Sequence, residues 1–219
     1  MSFQFCKKNT FCISLFSHKD RWEKMTQRFH HLQLDVTRFQ ASTENDIYDV
    51  VFSHYLSTLQ KCCAHSHIRL WKLLLSSNED FFFIMEDDAC FNKKWMEQLQ
   101  SFFHDGQIKE WDALFLNASE PFSSKNKWYL CQEQYLCGGY ILSKQGARHL
   151  LEMFHDCYFA ADWMTTRLQT KNHCYSFFPW LIIQEGKDST IGSGVELDHE
   201  KVIRCLAEIS YSIQENYFL

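Results

Sequence analysis

Phe81-Phe82-Phe83-Ile84-Met85-Glu86-Asp87-Asp88 is an apolar run that stops directly on three carboxylates. Consecutive apolar residues of this kind read as a strand buried on both faces. The acids at its C-terminal end then bring charge to the edge of a sheet. Side chains alternate along a strand, so Glu86 and Asp88 share one face while Asp87 points to the other. The carboxyl ends of strands are where α/β sheets bind their ligands. Two carboxylates on one face repel each other unless a cation or a proton intervenes. A hard divalent cation accompanying a phosphate-bearing substrate meets that need. The plainer alternative is a polar loop start with solvated acids. Against it, no Gly, Pro or Ser separates the apolar run from the charges.

The rest of the chain narrows the class. Its 219 residues are enough for one domain with a full core, or one domain with an appendage. The 20 Phe stand against only 7 Gly and 2 Pro, which disfavours an all-β sandwich with many tight turns. A formal charge of −5 with dispersed basic residues leaves no footprint for nucleic acid. No run approaches the ~20 apolar residues of a spanning helix, so no integral membrane segment is expected. Met1 to Lys8 lacks the apolar core and cleavage site of a signal peptide. The 10 cysteines, mostly inside apolar segments, therefore read as reduced, buried thiols of a cytoplasmic protein. Asn117-Ala118-Ser119 matches a glycosylation sequon that such a compartment would not use. Cys63 and His67 fall one helical turn apart and could share a metal. Without a second pair at finger-like spacing, zinc is not the favoured reading.

Strands and helices alternate along the chain. Phe11 to Phe16 reads as a first strand, and Arg21 to Leu32 as a helix with Trp22, Met25, Phe29 and Leu32 on one stripe. Asp35 to Phe39 is a second strand, and residues 42–55 have no clean period. Leu56 to Leu75 is a long helix, and Trp95, Leu99, Phe102 and Phe103 mark another ending near Asp105-Gly106. Asp112 to Leu116 is a strand, Asn117 to Lys127 a loop, and Tyr135 to Ser143 a strand. The Gly138-Gly139 pair in that strand points to a close backbone approach. Ser143 caps a helix through Phe154. Asp162 to Leu168 reads as helical, Tyr175 to Phe178 and Leu181 to Ile183 as extended, and Asp198 to Ser212 as a closing helix. The alternation predicts an α/β fold with a mostly parallel central sheet flanked by helices.

Several stretches, in order, resemble glycosyltransferase family 25, the lipopolysaccharide and collagen galactosyltransferase family. Ile13-Ser14-Leu15 followed by Asp20-Arg21-Trp22-Glu23-Lys24-Met25 is similar to its opening strand and helix, and Arg38-Phe39-Gln40-Ala41 to its second strand. Cys63-Ala64-His65-Ser66-His67-Ile68-Arg69-Leu70-Trp71 resembles its Ser-His helix signature. Glu86-Asp87-Asp88 stands where the family carries its metal-binding acids. Gly139-Tyr140-Ile141-Leu142-Ser143 with Gly146-Ala147, then Asp162-Trp163, then Gln184 through Ser189-Thr190-Ile191 resemble its later motifs. Ser14, Lys61 and Thr190 depart from residues the family tends to carry, which leaves the donor contacts and the sugar open.

The resemblance implies a GT-A-like, Rossmann-like single domain over residues 1–219. Its nucleotide-binding part spans about 10–120 and its acceptor part about 121–219. It also implies an enzyme moving a hexose, galactose first among them, from a UDP-sugar with inversion, assisted by Mn2+ or Mg2+. The acceptor would be a hydroxyl of a glycan or of hydroxylysine in collagen-like protein. Asp88 is then the direct metal ligand, with Glu86 on the same face and His199 or Asp188 as late additions. Asp162, beside Trp163, is the expected base that takes the acceptor proton, with Glu185 in reserve; an N-cap role is the plainer reading of Asp162. Leu15, Arg21, Phe39, Ala41, Ser66, His67, Asp87, Gly138 and Gly139 are the expected donor-side contacts. A histidine on the apolar face of a helix can equally be a satisfied core residue, and the glycines can simply allow tight packing.

Three other readings compete. Nucleotidyl transfer would want a glycine-bearing phosphate loop that Ser14 to Arg21 lacks. A glycosidase would want its carboxylates farther apart than neighbours on one strand. The third is a degenerate family member that binds a sugar nucleotide or a partner without catalysis.

Overall fold

The computed structural model describes residues 2–104, 110–117, 119, 126–135, 137–185 and 194–219, without the side chains of 194–199. The apolar run forms β3 (Phe81–Glu86), and the alternation of its side chains builds both halves of the core. Phe82 and Ile84 join the larger cluster, with Ile68 and Trp71 of α2 (Thr58–Ser76) and Leu150 of α4 (Lys144–Met153). Phe83 and Met85 face the opposite cluster, with Met25 and Phe29 of α1 (Lys19–Leu32) and Leu99 of α3 (Trp95–Gln100). Helices therefore cover both faces of the sheet, as a strand apolar on both sides requires.

The central sheet has seven strands in the order β2-β1-β3-β7-β5-β8-β6. They are β1 (Thr10–Ser14), β2 (Thr37–Gln40), β5 (Ala113–Phe115), β6 (Lys127–Leu130), β7 (Gly139–Ser143) and β8 (Cys174–Phe178), with β3. β1, β2, β3, β5 and β8 run in one direction, and β7 and β6 run against them. The sheet is thus mostly parallel, as expected, with a reversed strand near its middle. The reversal has a local cause. Among the described residues no helix stands between β5 and β7, and a parallel neighbour needs a crossover.

A second sheet, β10-β4-β9, combines β4 (Ala89–Asn92), β9 (Ile182–Gln184) and β10 (Tyr217–Phe218). The sequence reading missed β4, β6 and β10. Helix starts also moved: α1 begins at Lys19, and α2 at Thr58 behind a Ser57–Gln60 capping box. The final long helix, α6, spans Gly194–Glu208. Ser143 caps α4 as expected, its hydroxyl accepting the Gly146 N–H at 3.0 Å. All 10 cysteines are free thiols. Among the described residues no helix is long and apolar enough to cross a membrane.

Candidate active site

Glu86 closes β3, and Asp87-Asp88 form the two-residue turn into β4. Glu86 and Asp88 share one side and Asp87 takes the other, although both aspartates stand in the turn and not in the strand. Glu86 Oε2 accepts a hydrogen bond from Gln184 Nε2 at 3.1 Å, and the same amide reaches Asp88 Oδ1 at 3.3 Å. Asp87 turns the other way and meets Arg21 of α1 at 2.7 Å, while Asp88 lies 3.6 Å from that guanidinium. Burial, reinforced by the charge of Glu86, pushes the Asp88 carboxyl up to about 7 despite Arg21. Asp87 is also raised by burial, against the opposing pull of Arg21 and Ser14.

His67 approaches Glu86 from α2. Its Nε2 lies 3.2 Å from Glu86 Oε1, and its Nδ1 lies 2.9 Å from the Tyr140 hydroxyl. Trp71 Nε1 donates to that hydroxyl at 2.9 Å. Cys63, one turn before His67, brings its sulfur 3.6 Å from Glu86 Oε1. Ser66 is fully buried; its hydroxyl donates to Cys62 O and accepts the Ser42 N–H, both at 2.8 Å. It therefore ties α2 to the chain after β2.

The other expected residues gather on the same sheet edge because β1 lies beside β3 with Ile13 opposite Glu86. Arg38 Nη2 donates to Leu15 O at 2.7 Å, and its guanidinium stacks over Trp22 and Phe16. Ala41 N donates to Ser14 O at 3.1 Å, and Arg69 lies over the Phe39 ring. Gly138 O accepts the Glu86 N–H at 3.0 Å. A methyl on Gly138 would fall 2.6 Å from Gln184, and one on Gly139 equally close to Ile182. What approaches this glycine pair is β9, delivering the amide that bridges two acids.

Asp162 sits in the first turn of α5 (Ala161–Leu168), whose N-cap is Ala160. The N-cap reading of Asp162 is thus replaced by a bond from the Trp163 N–H to Asp162 Oδ1 at 2.8 Å. Its charge, after burial and Glu86, adds to what raises the thiols of Cys63 and Cys137. The Trp163 ring packs on Phe159 with Arg167 over it. Glu185 is committed elsewhere, to Lys24 and the buried Arg28 at 3.2 Å each. Burial raises its carboxyl, but the bonds from these two cations prevail and hold it below its ordinary value. That makes it a poor proton acceptor. The His199 side chain and Asp188 lie outside the described residues.

Residues 7–165 match the family model described as Glycosyltransferase family 25 (LPS biosynthesis protein). The chain belongs to glycosyltransferase family 25. This family 25 chain is 26% identical over 167 residues to procollagen galactosyltransferase 1-B of Xenopus laevis, covering 64% of this chain and 27% of that protein. It is 27% identical over 183 residues to the lacto-N-neotetraose biosynthesis glycosyltransferase LgtE of Neisseria meningitidis serogroup B, covering 68% of this chain and 63% of that one. A putative glycosyltransferase of Haemophilus influenzae is 26% identical over 163 residues, covering 67% of this chain and 57% of that protein. The chain thus spans about a quarter of the length of the procollagen relative and just over half of the Haemophilus one. The fold is the α/β arrangement expected of the chain, a mostly parallel central sheet flanked by helices.

Within this family 25 member, Glu86 and Asp88 are two oxygen donors of the kind that could hold a hard divalent cation. Both accept from one amide, and burial first, then the charge of Glu86, raises the Asp88 carboxyl. Gln184 went unrecognised as a site residue because an uncharged side chain at a strand end gives no electrostatic signal. The glycine pair opposite it was the available clue.

Proposed function

We propose that this chain is a metal-dependent, inverting hexosyltransferase that uses a UDP-sugar, UDP-galactose first among the donors. The acceptor is a hydroxyl of a glycan or of hydroxylysine in collagen-like protein. The observation that carries the reading is the pair Glu86 and Asp88, with Asp88 raised to about 7. Such a pair is relieved by positive charge. Mn2+ or Mg2+ held there would offset the charge growing on the departing diphosphate. The names of the procollagen and lacto-N-neotetraose relatives support the sugar and acceptor classes.

The chain's own residues do the rest. Arg21, anchored on Asp87, gives the donor side a fixed cation. The loop at Leu15 and the β2 end at Phe39 and Ala41 form the wall beside it, braced by Arg38 and Arg69. Asp162 takes the proton of the acceptor hydroxyl as its oxygen bonds to the sugar carbon. The bond from that carbon to the diphosphate breaks on the opposite face, so the configuration inverts.

The test is a screen of UDP-sugars for manganese-dependent UDP release with wild type, Asp88→Asn and Asp162→Asn. One sugar should be turned over, and each variant should lose at least about a hundredfold. Asp162→Asn should still bind UDP in the presence of manganese. Tight UDP binding without turnover by wild type, across a panel of glycan and hydroxylysine acceptors, would favour the degenerate binder. No binding of any UDP-sugar, with or without metal, would overturn the assignment.

A further inference from the structure

On the α2 side of Glu86 lie two thiols and an imidazole whose chemistry sugar transfer does not use. Cys63 Sγ is 3.6 Å from Glu86 Oε1, His67 Nε2 is 3.2 Å from the same oxygen, and Cys137 Sγ is 3.9 Å from His67 Nε2. The ligand atoms of Cys63, His67 and Glu86 all lie within 4.8 Å of one another. An ion with tetrahedral bonds of about 2.0–2.3 Å spaces its ligands by about 3.3–3.8 Å, close to these separations. His67 is fully buried, and its Nδ1 is fixed by Tyr140, which Trp71 holds in turn. Ligating histidines carry this kind of outer support.

We propose that Cys63, His67 and Glu86 form a binding site for a borderline-soft divalent cation, zinc being the one their donors fit best, with Cys137, outside that triad but 3.9 Å from His67, closing in as the fourth donor when the ion binds. Hydrogen bonds alone account for both nitrogens of His67. The two thiols come from separate segments, Cys63 set against the carboxylate oxygen and Cys137 against the imidazole nitrogen, so that soft and borderline donors face one small volume. Thiolate and imidazole donors distinguish this site from the hard-cation pair proposed above. Glu86 is shared by its two oxygens, Oε1 facing the thiols and Oε2 facing Gln184. The thiols would bind as thiolates and release their protons to solvent.

Cobalt is the probe. The intact, reduced, chelator-treated protein is titrated with Co2+ alone and followed by absorption. The expected result is about one equivalent bound, with intense tetrahedral bands and a thiolate-to-cobalt charge-transfer band. Zinc should displace it and manganese should not. The charge-transfer band should weaken in Cys63→Ser and in Cys137→Ser, vanish in the double variant, and persist in Asp88→Asn. A weak octahedral spectrum without a thiolate band would overturn the proposal, as would a band that manganese removes or Asp88→Asn abolishes. If the serine variants do not fold, alkylation of wild type decides. Zinc should slow modification of the partly exposed Cys63 at least tenfold while the exposed Cys6 reacts unchanged. Equal rates with and without zinc would overturn the site. Neither readout depends on a sugar donor.

Discussion

Asp88 shows how a single residue couples charge to stability. Its carboxyl, raised from 3.8 to about 7, prefers the protonated form in the folded chain. Below pH 3.8 the folded and unfolded chains both hold that proton, and no penalty arises. As the pH climbs the unfolded chain gives up its proton first, so stability is lost until the pH passes about 7. The loss has a ceiling of about 4 kcal/mol. Asp88→Asn should therefore be more stable than wild type by about 1–4 kcal/mol in urea unfolding at pH 8 without metal. The difference should close toward pH 4. Saturating manganese should stabilise wild type at pH 8 and leave the variant little changed. Strand alternation made the shared side of Glu86 and Asp88 legible in the sequence, although Asp88 reaches that side from the turn. The amide of Gln184 between them was not, since it arrives from a strand nearly a hundred positions away.

At the scale of elements, legibility followed the strength of the local signal. The apolar run of β3 and the Ser143 cap of α4 declare themselves. β4 did not, because the acids before it read as the end of a strand when they are a turn between two. β6 was hidden because Lys127, its first residue, reads as the end of the loop from Asn117, and its exposure pattern is that of an edge. The direction of β7 depends on what lies between strands, which periodicity within a strand does not encode. α4 supplies a prediction of its own. A methyl on Gly146 would fall 2.3 Å from the Asp112 carbonyl oxygen, which is backbone and cannot swing away. Gly146→Ala should cost about 2–3 kcal/mol and lower Tm by roughly 5–10 °C, read by thermal unfolding.

Across the whole molecule, the last strand fastens the second sheet. Tyr217 is 2% exposed, pairs with Asn92 across β10 and β4, and donates its hydroxyl to Trp180 O at 2.7 Å. Tyr217→Ala should cost about 3–5 kcal/mol through the cavity it leaves. Tyr217→Phe should cost only about 1–2 kcal/mol, for one unpaired carbonyl. Urea midpoints compared at equal slope would separate the two. The β3–β7 pairing has a different kind of consequence. It sets Phe81 against Ser143, and the Glu86 amide bonded to Gly138 lies at its far end. Contacts between segments so distant in sequence form slowly during folding and open only with much of the structure. The Glu86 N–H should therefore exchange with deuterium at a rate set by unfolding of the entire sheet, placing the acidic cluster inside the molecule's slowest-opening unit.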